Sequence, residues 1–72
     1  MFTGTYSTMQ GNEYRMTFPK VTTFKEASRQ ACIKIAKVGI EFEISKYVRE
    51  GHYITKWYRI TRNYNPQRIY GP

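Results

Sequence analysis

The sequence predicts an α+β fold of two layers, ββαββ, with one helix packed on a four-stranded, mainly antiparallel sheet. Three observations carry that expectation. Apolar and polar residues alternate at period two in two stretches near the N-terminus and two in the second half, as in strands with one covered face. Between these pairs, apolar residues recur at the helical period behind a capping sequence. Turn-forming residues separate the members of each pair closely enough for hairpins.

The first strand is expected over residues 2–8, where Phe2, Gly4, Tyr6 and Thr8 alternate with Thr3, Thr5 and Ser7. Gln10-Gly11-Asn12 supplies turn chemistry. Tyr14, Met16 and Phe18 then alternate with Glu13, Arg15 and Thr17 in a second strand that Pro19 ends. Thr23-Phe24-Lys25-Glu26 reads as a capping box: the threonine hydroxyl accepts from the third helical amide while the glutamate reaches back. A helix over roughly 24–38 follows, burying a stripe of Phe24, Ala27, Ala31, Ile35 and Val38 and closing at Gly39. Its outward face carries Lys25, Glu26, Arg29, Gln30, Ile33 and Lys37, with Cys32 on the flank.

In the second hairpin Ile40, Phe42, Ile44 and Val48 share one face and alternate with Glu41, Glu43, Ser45 and Tyr47. The return strand runs from Tyr53 to Arg62. A two-residue Glu50-Gly51 loop would pair Val48 with Tyr53 but set Phe42 opposite Arg59, a poor match for a buried face. A three-residue loop, Arg49-Glu50-Gly51, with Gly51 in the left-handed position, instead pairs Phe42 with Tyr58, Ile40 with Ile60 and Glu41 with Arg59. That register also sets Tyr47 across from Tyr53 and Trp57 across from Glu43. Residues 1–62 are expected to form one domain, with 63–72, containing Asn65-Pro66, as an extended C-terminal tail. The order of the strands stays open.

Seventy-two residues allow a single small core. Hydrophobic residues at 40% and aromatics at 17% suit a folded domain and not a disordered basic tail. Lys and Arg number 12 against 5 acidic residues, all of them Glu, and the net charge of +7 points to an anionic partner. One cysteine and one histidine exclude an intrachain disulfide and a Cys/His zinc site, so no cofactor or metal is expected. No nucleophile, base and orienting group come together in the pattern, and the chain is expected not to be an enzyme. Glu41 and Glu43 lie two apart on one face, where neutralising Arg59 and its neighbours is the simpler role than holding a divalent ion. With neither a signal-peptide pattern nor a long apolar run, the expected location is a reducing cytoplasm, with no membrane partner.

The most informative constellation is the sheet face opposite the helix. It is expected to present Tyr47, Tyr53 and Trp57 beside Arg59, with Arg15, Lys56, Arg62 and Arg68 adding charge. Exposed rings with cations at the margin suit base stacking and phosphate contact, in the physical style of the sheet platforms of single-strand RNA binders, although no RNA-recognition motif, GXXG clamp or double-stranded-RNA pattern is present. The first expectation is therefore a small, basic, non-catalytic module that engages RNA or single-stranded DNA, alone or in a nucleoprotein. The alternative is a stoichiometric protein inhibitor of a host or antiviral-defence enzyme. That inhibitor would act through the same face or through a helix surface of Lys25, Arg29, Ile33 and Lys37. Burial of the aromatic face between two copies would make a homodimer. In size and one-domain plan the chain resembles accessory proteins of phages and mobile elements, many of which act by binding. The resemblance implies the cytoplasm of the host cell.

Overall fold

A computed structural model describes residues 1–8, 10–35 and 41–69. Its elements are β1 (Phe2–Ser7), β2 (Glu13–Phe18), α1 (Phe24–Ile35), β3 (Glu41–Arg49), β4 (His52–Ile60) and β5 (Pro66–Arg68). The fold is α+β as expected, but the sheet has five strands in the order β2-β1-β3-β4-β5, each neighbouring pair antiparallel. The helix covers one face only.

The first hairpin closes through the Thr8 amide, which donates to the Asn12 carbonyl at 2.9 Å, with Gly11 at φ 86° in the left-handed region that a glycine enters at no steric cost. β1 lies between β2 and β3, and Gly4 shows why it fits there. A Cβ on Gly4 would stand 3.0 Å from both Ile44 Cδ1 and Met16 Cε and 3.1 Å from the Glu43 carbonyl oxygen. The bare glycine lets side chains from both neighbouring strands close over the middle of the sheet.

At the start of α1 the Glu26 amide donates to Thr23 Oγ1 at 3.2 Å, one half of the expected capping box. The other half is absent. Glu26 instead accepts from Arg29 Nε at 3.0 Å and from Gln30 Nε2 at 3.3 Å, one turn further along. Ala27, Ala31 and Ile35 are buried as expected, and Ser28 and Cys32 are buried beside them. Cys32 is therefore core and not flank: the helix buries a wider face than a single stripe. Val38 and Gly39 lie outside the described residues. Beneath α1 the core gathers Phe2, Met16, Phe18, Phe42, Ile44 and Tyr58, with the Phe42 and Tyr58 rings stacked at 5.4 Å.

The register of β3 and β4 is the expected one, with Phe42 opposite Tyr58, Glu41 opposite Arg59, Glu43 opposite Trp57 and Tyr47 opposite Tyr53. The Ile40 side of the Ile40/Ile60 pair lies outside the described residues. The extra residue that sets this register is not a third loop residue. Arg49 pairs with His52 around Glu50-Gly51, and the irregularity falls between Tyr47 and Arg49, at Val48. Gly51 takes φ 73°, as the turn requires. Val48, expected on the covered face, is 51% exposed. The reason is length: a helix of 12 residues spans about 18 Å, whereas strands of 9 residues span about 30 Å, so the end of the hairpin overhangs its roof.

The expectation that residues 63–72 leave the sheet is corrected for Pro66–Arg68, which pair with Ile60, Arg59 and Tyr58 as β5. Thr61 folds the chain back. Its carbonyl accepts from the Tyr64 amide at 2.9 Å and its hydroxyl from the Asn65 amide at 3.1 Å. Pro66, which lacks an N–H, opens an edge strand, where it is tolerated. Residues 70–72 lie outside the described residues.

Candidate functional site

Strand alternation and register assign each candidate to a face. The open face carries Tyr47, Tyr53, Trp57 and Arg59 together, and Arg15 joins them from β2, in one lateral row with Thr5, Glu43 and Trp57. The Tyr47 and Tyr53 rings meet edge to face, with centroids 5.5 Å apart, and are 44% and 62% exposed. Trp57 is half-buried. Between these aromatics the face is lined by hydroxyls and carboxylates. Ser45 and Thr55 are hydrogen-bonded at 2.7 Å, Thr5 donates to Glu43 Oε1 at 2.8 Å, and Arg59 pairs with Glu41 at 3.3 Å. Glu13, Glu41 and Glu43 outweigh Arg15 and Arg59. The expected aromatic and basic face is therefore aromatic without being basic. Of its carboxylates, Glu43 is engaged by Thr5 and Glu41 by Arg59.

Arg68 and Lys56 lie on the other side of the sheet, because β5 pairs Arg68 with Tyr58 and alternation puts Lys56 on the same face as Tyr58. Arg62 is exposed in the turn between β4 and β5. Lys25 and Arg29 are on the exposed side of α1, and Ile33 is 65% exposed there. Lys37 lies outside the described residues.

The helix-bearing side collects the positive charge. Lys34 lies 5.3 Å from the Phe18 ring centroid, Lys46 5.9 Å from Phe2, and Lys56 4.4 Å from Phe24. Each lysine sets its ammonium over an aromatic ring on this side of the sheet. Lys20, Lys25, Arg29 and Arg68 lie on the same side, against Glu26. Lys46 and Lys34 are absent from the sequence-based candidates. Lys46 was readable from the adopted register, since it shares the parity of Phe42 and Ile44.

Lys25, Arg29, Lys56 and Arg68 line one groove with Phe24, Ser28, Tyr58, Asn65 and Pro66. Within it Arg29 is paired with Glu26, and its hydrogen bonds, followed by that of Gln30, hold the Glu26 carboxyl down to about 2. Burial pushes the Tyr58 phenol up, opposed by the charge of Arg68 and by the side chain of Ser28. Burial likewise raises the Cys32 thiol, keeping it protonated in the core and apart from the exposed His52.

A third surface is the overhanging hairpin end, where Tyr47, Val48, Tyr53 and Ile54 are exposed beside Lys46, Arg49 and His52. No helix among the described residues is long and apolar enough to cross a membrane. No family model, curated protein or solved structure matches the chain.

Proposed function

We propose that the chain is a non-catalytic binding module for RNA or single-stranded DNA that meets phosphates with the helix-bearing side of its sheet. The observation that carries this reading is the sorting of charge. The cations of α1, Lys46, Lys56 and Arg68 share one side, while the open face has more carboxylates than cations. A one-sided excess of this kind is the electrostatic footprint of a polyanion partner. The hairpin end favours a single strand over a duplex. Lys46 and the Tyr47/Tyr53 pair lie on opposite faces of the same overhang, so one ligand reaches both only if its backbone bends around the tip. Stacking on such rings contributes about 1–3 kcal/mol per base.

The test is the anisotropy of a labelled single strand titrated across a range of salt. Each phosphate contact should contribute about −0.7 to the log-log slope, so four engaged cations give roughly −3. Lys34→Glu with Lys46→Glu should weaken binding and flatten the slope, whereas Arg15→Glu on the open face should do neither. Salt-independent binding, or an equal response from Arg15→Glu, defeats the reading.

A protein partner is the second reading, and the overhang supports it. Val48, Tyr53 and Ile54 expose apolar surface, and β5 pairs only with the far end of β4, so the His52–Lys56 edge is available for strand addition. An inhibitor of a host or defence enzyme would use this edge, and would bind no strand at any salt.

A further inference from the structure

The groove between the first turns of α1 and the β4–β5 edge has a volume of about 590 Å³, within the range of roughly 300–1,000 Å³ typical of small-ligand sites. Its cations are not equivalent. Arg29 is neutralised by Glu26, whereas Lys25, Lys56 and Arg68 have no carboxylate partner among the described residues. Arg68 donates from Nη1 to the Ile69 carbonyl at 3.0 Å, leaving the rest of its guanidinium fork for another acceptor. Like charges grouped around one groove repel one another, and a bound anion removes that penalty. Phosphate is the anion that Arg and Lys hold best together, Arg by its planar fork and Lys as a point charge.

The remaining wall is apolar. Phe24 and Pro66 are half-buried at the groove, above the buried ring of Tyr58. An inorganic anion would leave this wall wet, whereas a ligand that joins a phosphate to a flat, largely apolar body fills both parts. We propose that the groove seats one nucleotide of the bound strand, with its phosphate among Lys25, Lys56 and Arg68 and its sugar and base against Pro66 and Phe24. The assignment rests on the nucleic-acid reading above and names where a single unit of the strand is held. The Tyr58 phenol and the Asn65 amide are the uncharged polar groups that line this site.

The experiment is a two-dimensional NMR titration of the full chain with a nucleoside monophosphate, the parent nucleoside and inorganic phosphate in turn. The monophosphate should shift amides in Phe24–Arg29 and Asn65–Ile69 and bind about tenfold more tightly than either fragment. Lys56→Met removes the ammonium that lies over Phe24 while keeping an unbranched apolar side chain, and Arg68→Ser alters an exposed strand residue. Each should weaken the monophosphate about tenfold with the amide dispersion of the folded chain retained, while Glu13→Gln on the open face leaves the affinity unchanged. Three results overturn the assignment: inorganic phosphate binding as tightly as the monophosphate, shifts centred on the open face, or full affinity in both groove variants. If the strand still binds with a steep salt slope while the monophosphate leaves Phe24–Arg29 unmoved, the groove is refuted and the strand reading stands. If the monophosphate fills the groove while no strand binds, the strand reading fails and the groove remains a nucleotide site.

Discussion

Glu26 follows the helix-capping residue Thr23, yet its carboxylate serves Arg29 and Gln30 rather than the backbone it was expected to reach. The capping hydroxyl of Thr23 is thus legible in sequence, because it depends on local spacing alone. The partner of Glu26 is not, since backbone and side-chain donors compete for its carboxylate within one turn and the charged donor wins. A carboxyl held at about 2, below its ordinary value near 4.5, binds its proton less readily folded than unfolded. Its contribution is therefore complete above the ordinary glutamate range and is lost as pH falls from there toward 2. Thermal melts of the wild type and Glu26→Gln should differ near neutral pH and converge as the pH approaches 2; curves that stay parallel across that window would exclude the linkage. The effect is small, because the pair is exposed to solvent.

The elements show which features of a sequence are decisive. Phe42, Ile44 and Tyr58 fixed the face and register of the second hairpin, since a slip by one residue would have buried Arg59. Where the extra residue goes was not legible: a third loop residue and a bulge at Val48 give the same register beyond Tyr47. Nor was β5. Asn65-Pro66 signals a break, and the return turn depends on Thr61 bonding to residues that follow it. Gly4 reads in sequence as a weak spot in a strand, but it marks a close approach between three strands. Gly4→Val should therefore cost about 1–3 kcal/mol by overpacking against Ile44 and Met16, and Phe42→Ala about 3–5 kcal/mol by emptying the core. Denaturant unfolding measures both. A Gly4→Val variant as stable as wild type would mean that the sheet can open there without penalty.

For the molecule as a whole, the sequence supplied the amount of charge and the candidate rings, while only the strand pairing assigned them to sides. Arg68 was placed with the aromatics because its strand was not foreseen; pairing with Tyr58 moves it across the sheet to Lys56 and Phe24. The two sides then invite different partners. The helix-bearing side repels its own copy, whereas the open face carries both signs, Arg15 and Arg59 with Glu13, Glu41 and Glu43, around Trp57. A two-fold axis through such a face can set cations of one copy against carboxylates of the other while burying the tryptophan and leaving the Tyr47/Tyr53 pair at the hairpin end to the strand. A domain of this size without staples gains stability from that burial. The expected state at high micromolar concentration is thus a dimer, of twice the 8.6 kDa chain, by sedimentation equilibrium. Trp57→Asp should convert it to a monomer, with the salt slope for single-strand binding unchanged, because the phosphate-facing cations are on the far side. A clean 8.6 kDa species for the wild type would reject self-association and leave the open face to a different partner. A monomeric Trp57→Asp that also loses its salt-dependent binding would show instead that the tryptophan side, and not the lysines around α1, meets the strand.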